Sequence, residues 1–416
     1  MKTKRSGSSF NALHRERKLE SIFLFTTGKC NAKCAMCFYA ADMEKKAEDL
    51  NFGEIQKLSE TAGPFKRLWL SGGEPTLRED LPEIVEMFYA NNHITDCNFP
   101  TNGIKTERLI AWVQRLRRNC PDMNISVSVS MDGFGQTHDA QRGIPSFYRV
   151  AETLKALQDN FQEDGRVIKN IATVITRYNV EEITDFITWI YGRFKVTAHT
   201  IEAARGNTRE QGVKALTEER LRAIQDQAAP YYLLYAKRIG EGMNALGRGL
   251  TKFFFVGLMR AMYNIRASNL EKPVPWNMDC TAGETTLVID YDGRFRSCEL
   301  REPIGRVQDY GYDIQTIMRS DAMRQEVAAV GHGYRANCWC THGCWIMSSI
   351  TFNPGRMIAM MIKANRETRK LAKARPVLIN EELLEALEHK YRVDRAKLAE
   401  LGIIPPLAIP ASRQSA

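Results

Sequence analysis

The chain has 416 residues, 44% of them hydrophobic and 26% charged, enough to bury a full core in the manner of an ordinary soluble globular protein. Lys and Arg number 58 against 49 Asp and Glu, a formal charge of +9, which favours acidic partners such as phosphorylated substrates, anionic lipid surfaces or nucleic acid without choosing among them. Residues Met1 to Glu20 lack the apolar core of about 7–15 residues that a secretory signal needs, and no run approaches the roughly 18 apolar residues of a spanning helix, so export and membrane insertion are not expected.

Residues 1–19 read as a basic, polar tail. From residue 20 to 215, short β-rich runs alternate with amphipathic helical stretches, which predicts an α/β fold of parallel strands joined by right-handed crossovers. Six strands are expected, at Ile22–Thr26, Arg67–Ser71, Asp96–Pro100, Ile125–Ser130, Ile168–Ile175 and Val196–Glu202, with helices such as Leu81–Ala90 and Ile104–Arg118 between them. This pattern suits a partial, open (β/α)6 barrel.

Chemistry in such barrels sits where strands end and loops begin. Here Cys30-Asn-Ala-Lys-Cys34-Ala-Met36-Cys37 follows the first strand, Ser71-Gly72-Gly73-Glu74-Pro75 the second, Thr101-Asn102-Gly103 the third and Ser130-Met131-Asp132-Gly133 the fourth. Four motifs are thereby expected on one rim. Three thiolates within eight residues can wrap one 4Fe-4S cluster while leaving its fourth iron without a protein ligand. Zinc would want a fourth local ligand, and buried cysteines packing as small hydrophobes are the other alternative.

Residues 216–275 read as a helical segment dominated by two long helices, the second carrying Phe253, Phe254, Phe255, Val256, Leu258, Met259 and Met262. Residues 276–350 form a small cysteine-rich unit with a hairpin signal at Thr286–Asp290, a turn at Tyr291-Asp292-Gly293 and a return strand toward Cys298. Five cysteines fall in it: Cys280, Cys298, Cys338, Cys340 and Cys344. Residues 351–416 are a basic helical extension whose end, from Pro405, is a Pro-containing tail. Of the ten cysteines, Cys97 and Cys120 stand apart and are expected to be structural.

The three-then-two spacing of Cys30, Cys34 and Cys37 resembles the CxxxCxxC signature of the radical SAM superfamily, and Gly72-Gly73-Glu74-Pro75 resembles its GGEP motif. The resemblance implies a TIM-like partial barrel and an open-site 4Fe-4S cluster that binds S-adenosylmethionine. Reductive cleavage then gives a 5'-deoxyadenosyl radical that abstracts hydrogen from substrate, and the electron comes from a flavodoxin or ferredoxin. By the same resemblance, Met36, Gly72, Gly73, Glu74, Pro75, Asn102, Ser130 and Asp132 are candidate cofactor-binding residues. Thr173–Asn179 resembles another segment close to SAM.

The late cysteines, with Gly293 ahead of Cys298, resemble the auxiliary-cluster extension called SPASM or its shorter relative twitch. A full SPASM unit carries seven cysteines and two clusters. Five thiolates support one auxiliary 4Fe-4S cluster, with Cys280, Cys298 and Cys344 as ligands and Cys340 favoured over Cys338 as the fourth. Zinc is the alternative there, and His342 could then replace a thiolate.

The substrate is left open between a peptide or protein and a lipid or lipid-linked molecule. The run from Arg356 to Arg375 holds seven basic residues against Glu367, interspersed with Met357, Ile358, Met360, Met361 and Ile362, which suits contact with an anionic membrane. Nucleic acid is disfavoured, because no base-stacking or zinc-finger signature accompanies the charge. The expected location is a reducing cytoplasm, with the inner membrane surface as the place of any peripheral contact. The competing function is a non-catalytic iron-sulfur or electron-transfer module.

Overall fold

The computed structural model describes residues 18–45, 47–272, 274, 278–330, 338 and 340–406. The expected N-terminal tail, as far as residue 17, and the chain end from 407 lie outside the described residues.

Strand β1 (Ser21–Phe25) leads through the short helix α1 (Ala40–Met43) to α2 (Phe52–Ala62). Helix α2 starts at a capping box: Asn51 accepts from the Glu54 N–H at 3.0 Å while Glu54 accepts from the Asn51 N–H at 2.9 Å. The barrel continues as β2 (Arg67–Ser71), α3 (Leu81–Asn92), β3 (Asp96–Thr101), α4 (Thr106–Asn119), β4 (Asn124–Ser130), α5 (Gly135–Arg142), α6 (Phe147–Asn160), β5 (Val167–Ile175), α7 (Ile183–Arg193) and β6 (Ala198–Ala203). Neighbouring strands from β1 to β6 pair in parallel, the mixed α/β arrangement of a partial TIM-type barrel. Each strand lies within two residues of its expected bounds, because alternating apolar and small polar residues mark strands with one helix-covered face.

That alternation is visible in burial. In β2, β3 and β5 every second residue is buried against helices and the others are partly exposed. In β1 all five residues are buried. Ile22 and Leu24 join the main core, whereas Phe23 and Phe25 join a second cluster on the opposite face with Tyr39, Val288, Tyr291, Cys298 and Trp345.

After the barrel come α8 (Glu218–Ile239) and α9 (Ala245–Ser268), the two long helices expected there. The hairpin follows as β7 (Thr286–Ile289) and β8 (Arg294–Arg296), with a short β9 (Gly305–Arg306). It does not stand apart as a sheet of its own. Strand β7 pairs in parallel with β1, giving one nine-stranded sheet in the order β6-β5-β4-β3-β2-β1-β7-β8-β9. Sequence alternation cannot reveal such a pairing, because it carries the strand's faces and not its neighbour.

Helices α10 (Ile314–Arg319), α11 (Asp321–Val330), α12 (Gly343–Thr351), α13 (Pro354–Ala374), α14 (Glu381–Lys390) and α15 (Arg395–Glu400) complete the chain. Helix α13 packs on α9 and α8, and α14 on α7, where buried Glu388 accepts from Trp189 Nε1 at 2.9 Å and Arg193 Nε at 2.6 Å. Among the described residues no helix is long and apolar enough to cross a membrane.

Candidate active site

The loop carrying Cys30, Cys34 and Cys37 leaves the C-terminal end of β1 and is held on three sides. Asp49 clamps its start, accepting from Thr27 Oγ1 at 2.6 Å and the Gly28 N–H at 2.8 Å. The loop after β2 zips onto it, with Gly73 N–H donating to Thr27 O at 2.7 Å and Glu74 N–H to Lys29 O at 2.8 Å. The end of α5 closes the third side, where Lys33 and Ala35 donate to the carbonyls of Arg142 and Gln141 at 3.2 and 2.9 Å.

The glycines of the second loop are required by this contact. Gly72 has φ 126°, and a Cβ there would lie 2.6 Å from Thr27 O; a Cβ on Gly73 would lie 2.0 Å from Lys29 O. They let two backbones touch, which places the second loop directly on the cysteine loop.

Glu74 is buried and ties the second loop to the third. One carboxylate oxygen accepts from Thr76 N–H at 3.1 Å, Thr76 Oγ1 at 2.6 Å and Thr101 Oγ1 at 2.8 Å; the other accepts from Asn102 N–H at 2.7 Å. Burial pushes its pKa up against the pull of these donors. Asn102 reaches back to the cysteine loop through a 2.7 Å bond from Nδ2 to Asn31 Oδ1. Pro75 is buried at the start of the short turn Pro75–Leu77. Met36 is buried with Val213, Val174 and Ala204 beneath the later loops, and Ser130 is partly exposed at the end of β4.

Asp132 differs from expectation. It is fully buried and both oxygens are engaged, one accepting from Val174 N–H at 2.8 Å and the other from Arg142 Nε at 2.5 Å. It therefore acts on Arg142 and does not reach into the rim. Arg142 in turn directs Nη1 at Cys34 Sγ, 3.8 Å away. Burial opposes its charge, but Asp132 and Cys34 offset that and hold its pKa above the ordinary value. Thr173 and Asn179 are likewise fully buried, Thr173 bonded to Met131 O and His199, and Asn179 to the carbonyls of Asp132 and Val174.

Among the described residues no group of three or more His, Cys, Asp or Glu side chains is already drawn into metal-ligating geometry. The donor set nonetheless fits a cluster. Three soft thiols share one loop, Ala32 N–H donates to Cys30 Sγ at 3.4 Å, and a guanidinium faces Cys34; N–H donors and positive charge suit thiolate ligands. Cys30 is exposed to solvent, but partial desolvation by the surrounding loops pushes its pKa up, and the nearby charges of Cys34, Glu74 and Cys37 add to the rise. Burial first, and then Cys34, likewise raises Cys37.

The second cysteine set lies across the aromatic cluster. Phe23 stacks on Trp69 at 5.3 Å and meets Trp345 at 5.2 Å, and this cluster contains Cys298 and touches Cys37, Cys280, Cys340 and Cys344. Cys298 is raised by burial and then by Cys340, and Cys340 by burial and then by Cys280, so these three sulfurs are electrostatic neighbours. Cys340 accepts from the His342 N–H at 3.1 Å. Cys344 opens α12, its N–H bonded to His342 Nδ1 at 3.3 Å. His342 is buried against Glu299 through Nε2, which leaves neither ring nitrogen directed at a metal. Cys338 is half-buried, with Arg301 and Glu326 as charged neighbours, and it lies close enough to Cys280 and Cys340 to raise both. Cys97 and Cys120 are buried in the main core, away from both sets.

Fully buried Arg266 links the barrel rim to this second loop. It donates to Ile201 O at 2.7 Å, Glu202 Oε1 at 2.7 Å and Thr341 O at 2.9 Å. Arg142, Arg266 and Asp49 were not foreseen, since each acts on a partner distant in sequence and no local pattern marks them.

The Radical SAM superfamily model matches residues 24–190, which hold the cysteine loop and the loops packed on it. Residues 24–190 belong to the radical SAM superfamily. Over 118 residues the chain is 36% identical to the probable GTP 3',8-cyclase of Methanococcus maripaludis, covering 28% of this chain and 37% of that protein. It is 31% identical over 163 residues to the mycofactocin maturase MftC of Mycobacterium ulcerans, covering 38% of this chain and 41% of that one. The matches thus span well under two thirds of these curated relatives. The fold is similar to that of anSMEcpe with bound AdoMet and Cp18Cys peptide, with a TM-score of 0.55 and 15% identity over 90% of this chain and 99% of that one. The shared fold thus extends beyond residues 24–190.

Proposed function

We propose that the chain is a radical SAM enzyme in which Cys30, Cys34 and Cys37 hold a 4Fe-4S cluster with one iron open to S-adenosylmethionine. The observation that carries this is the docking of the Gly72–Glu74 loop on the three-cysteine loop within the superfamily match. When bound, cluster and SAM supply a 5'-deoxyadenosyl radical that takes hydrogen from a substrate. The chain's own residues position and shield: Asp49, Glu74 and Asn102 fix the cysteine loop, Arg142 supplies positive charge beside Cys34, and Met36 closes the apolar side. Gly72, Gly73, Pro75 and Ser130 shape the rim on which SAM would lie.

Cys280, Cys298, Cys340 and Cys344 are the proposed ligands of one auxiliary 4Fe-4S cluster. Deeper burial of Cys340, beside both Cys280 and Cys298, supports it over Cys338, which lies beside Cys280 and Cys340. A flavodoxin or ferredoxin is the proposed electron donor.

A peptide or protein is the favoured substrate class. The partly exposed strand faces carry neutral hydrogen-bonding side chains, Asn98, Ser126, Asn170 and Thr200, and Asn98 and Ser126 continue the ladder row of Phe23 and Trp69. Such a lining suits amide groups and uncharged side chains. The peptide named with anSMEcpe agrees with this class.

The test is anaerobic reconstitution with iron and sulfide analysis and an assay of 5'-deoxyadenosine released from SAM under dithionite. About eight irons per chain are expected for two 4Fe-4S clusters. Changing Cys30, Cys34 and Cys37 together to Ala should leave about four irons and no deoxyadenosine. A fully loaded wild type that leaves SAM intact would point instead to a non-catalytic iron-sulfur module.

A further inference from the structure

Two helices outside the barrel carry a surface that the proposed chemistry does not use. Helices α9 and α13 pack closely: a Cβ on Gly257 would lie 2.8 Å from Met361 Cβ, and Asn365 Nδ2 donates to Phe253 O at 3.0 Å. The packed side of the pair is formed by Val256, Gly257, Ala261, Met361, Ala364 and Thr368, all buried. The rest of the apolar content faces water. Leu246, Leu250 and Phe254, spaced four apart on one face of α9, are 72%, 50% and 39% exposed. Met243, just before α9, is exposed as well, and so are Ile358 and Ile362, four apart on α13. Solvation leaves single exposed apolar residues unremarkable, but consecutive ones at helical spacing form a face.

The charge on the same helices has one sign. Helix α9 contains no Asp or Glu, and its exposed cations are Arg248 and Lys252. Helix α13 exposes Arg356, Lys363, Arg366, Arg369, Lys370 and Lys373 against one acid, Glu367. Glu367 is itself engaged by Asn264 at 2.9 Å and Arg260 at 3.5 Å, with exposed Lys363 at 4.0 Å from its other oxygen. These two helices therefore hold most of the excess behind the chain's +9. Outside the described residues Glu16 is the sole acid.

We infer that the N-terminal half of α9, with the cationic side of α13, is a docking surface for an anionic lipid bilayer. Leu246, Leu250 and Phe254 enter the interfacial layer while the lysines and arginines engage headgroup phosphates. An exposed apolar stripe backed by cations is the composition of an interfacial helix. A basic patch alone would suit any polyanion, and an apolar stripe alone a second copy of the chain. The combination selects the bilayer, because two copies would bring like charges together and nucleic acid offers no interior for the apolar stripe.

The inference stands apart from the iron-sulfur assignment, since it is read on binding and not on turnover. The full chain is floated with vesicles of phosphatidylglycerol and phosphatidylcholine, and with phosphatidylcholine alone. Binding to the anionic vesicles is expected, at least tenfold above that to the neutral ones. The triple variant Leu246→Asp, Leu250→Asp, Phe254→Asp should lose binding at least tenfold while keeping its circular dichroism spectrum, since all three side chains are exposed. Lys363→Glu with Lys370→Glu should weaken it at low salt. Wild-type protein that stays with the unbound fraction, or a triple variant that floats like the wild type, overturns the proposal. So does a lipid-free dimer that the triple variant dissociates, which would assign the surface to a second copy.

Discussion

The Asp132–Arg142 pair gives the sharpest quantitative test of how the cysteine loop is held. Arg142 is the last residue of α5, with its side chain buried between Asp132 Oδ2 at 2.5 Å and Cys34 Sγ at 3.8 Å, and its carbonyl bonded to the Lys33 N–H. An exposed ion pair of this geometry would contribute about 0–1 kcal/mol. Here Asp132 is fully buried, so Arg142→Gln leaves a carboxylate with one backbone donor and no counter-charge. Breaking a buried pair from one side costs about 3–5 kcal/mol, a large share of the roughly 5–15 kcal/mol that holds a domain together. Removing both charges costs much less, so Asp132→Asn combined with Arg142→Gln should recover most of the loss. A double-mutant cycle by urea denaturation of the iron-free chain measures the coupling. Electron paramagnetic resonance of reconstituted Arg142→Gln should also show a perturbed signal and a lowered midpoint potential at the first cysteine set, because a positive charge beside Cys34 is gone. A single variant within about 0.5 kcal/mol of wild type, or singles that simply add, would refute the reasoning.

Three further outcomes follow from the geometry. Gly73→Ala must move backbone, since the new Cβ would sit 2.0 Å from Lys29 O, so about 1–3 kcal/mol of stability and most iron at the first set should be lost, read by thermal unfolding and iron analysis. Glu182 accepts from Phe134 N–H at 2.8 Å and Thr137 Oγ1 at 3.0 Å, yet burial lifts its pKa from the ordinary 4.5 to about 6. The folded chain then binds this proton more tightly than the unfolded one, so its contribution to stability falls as pH rises from 4.5 to about 6. Glu182→Gln should flatten that part of the stability profile, and an unchanged slope would contradict the assignment. Arg266→Met strips donors from Ile201 O, Thr341 O and Glu202, and should cost the second cysteine set its iron while leaving the first loaded, as distinguished by iron content and electron paramagnetic resonance.

The strands were legible because alternation reports burial directly: Leu68 and Leu70 face helices while Trp69 faces the other way, and that pattern survives in the linear chain. Motif positions were legible for the same reason, since a loop after a predicted strand must lie at its C-terminal end. What side chains do at those positions was not. Glu74 and Asp132 stand in recognisable motifs, but their carboxylates are consumed by Thr101, Asn102, Val174 and Arg142. Those partners lie 10 to 42 residues away in sequence, at positions that only the fold brings together. The acidic residues of these rim motifs therefore act chiefly on neighbouring loops.

The pairing of β7 with β1 carries the larger consequence. A separate cluster-binding unit on a linker could drift relative to the barrel, and its cysteines would then sit at no fixed place relative to Cys30, Cys34 and Cys37. Here Phe23 pairs with Val288 in the ladder, and both belong to the aromatic cluster that touches both cysteine sets. Backbone hydrogen bonds and apolar packing thus set the relation between the two sites from the same strand. A rigid relation of that kind suits chemistry in which one site acts on a substrate that the other holds or oxidises, because reacting groups must be placed to within a fraction of an ångström. The aromatic rings of this cluster hold one another's orientation by packing, Phe23 against both Trp69 and Trp345.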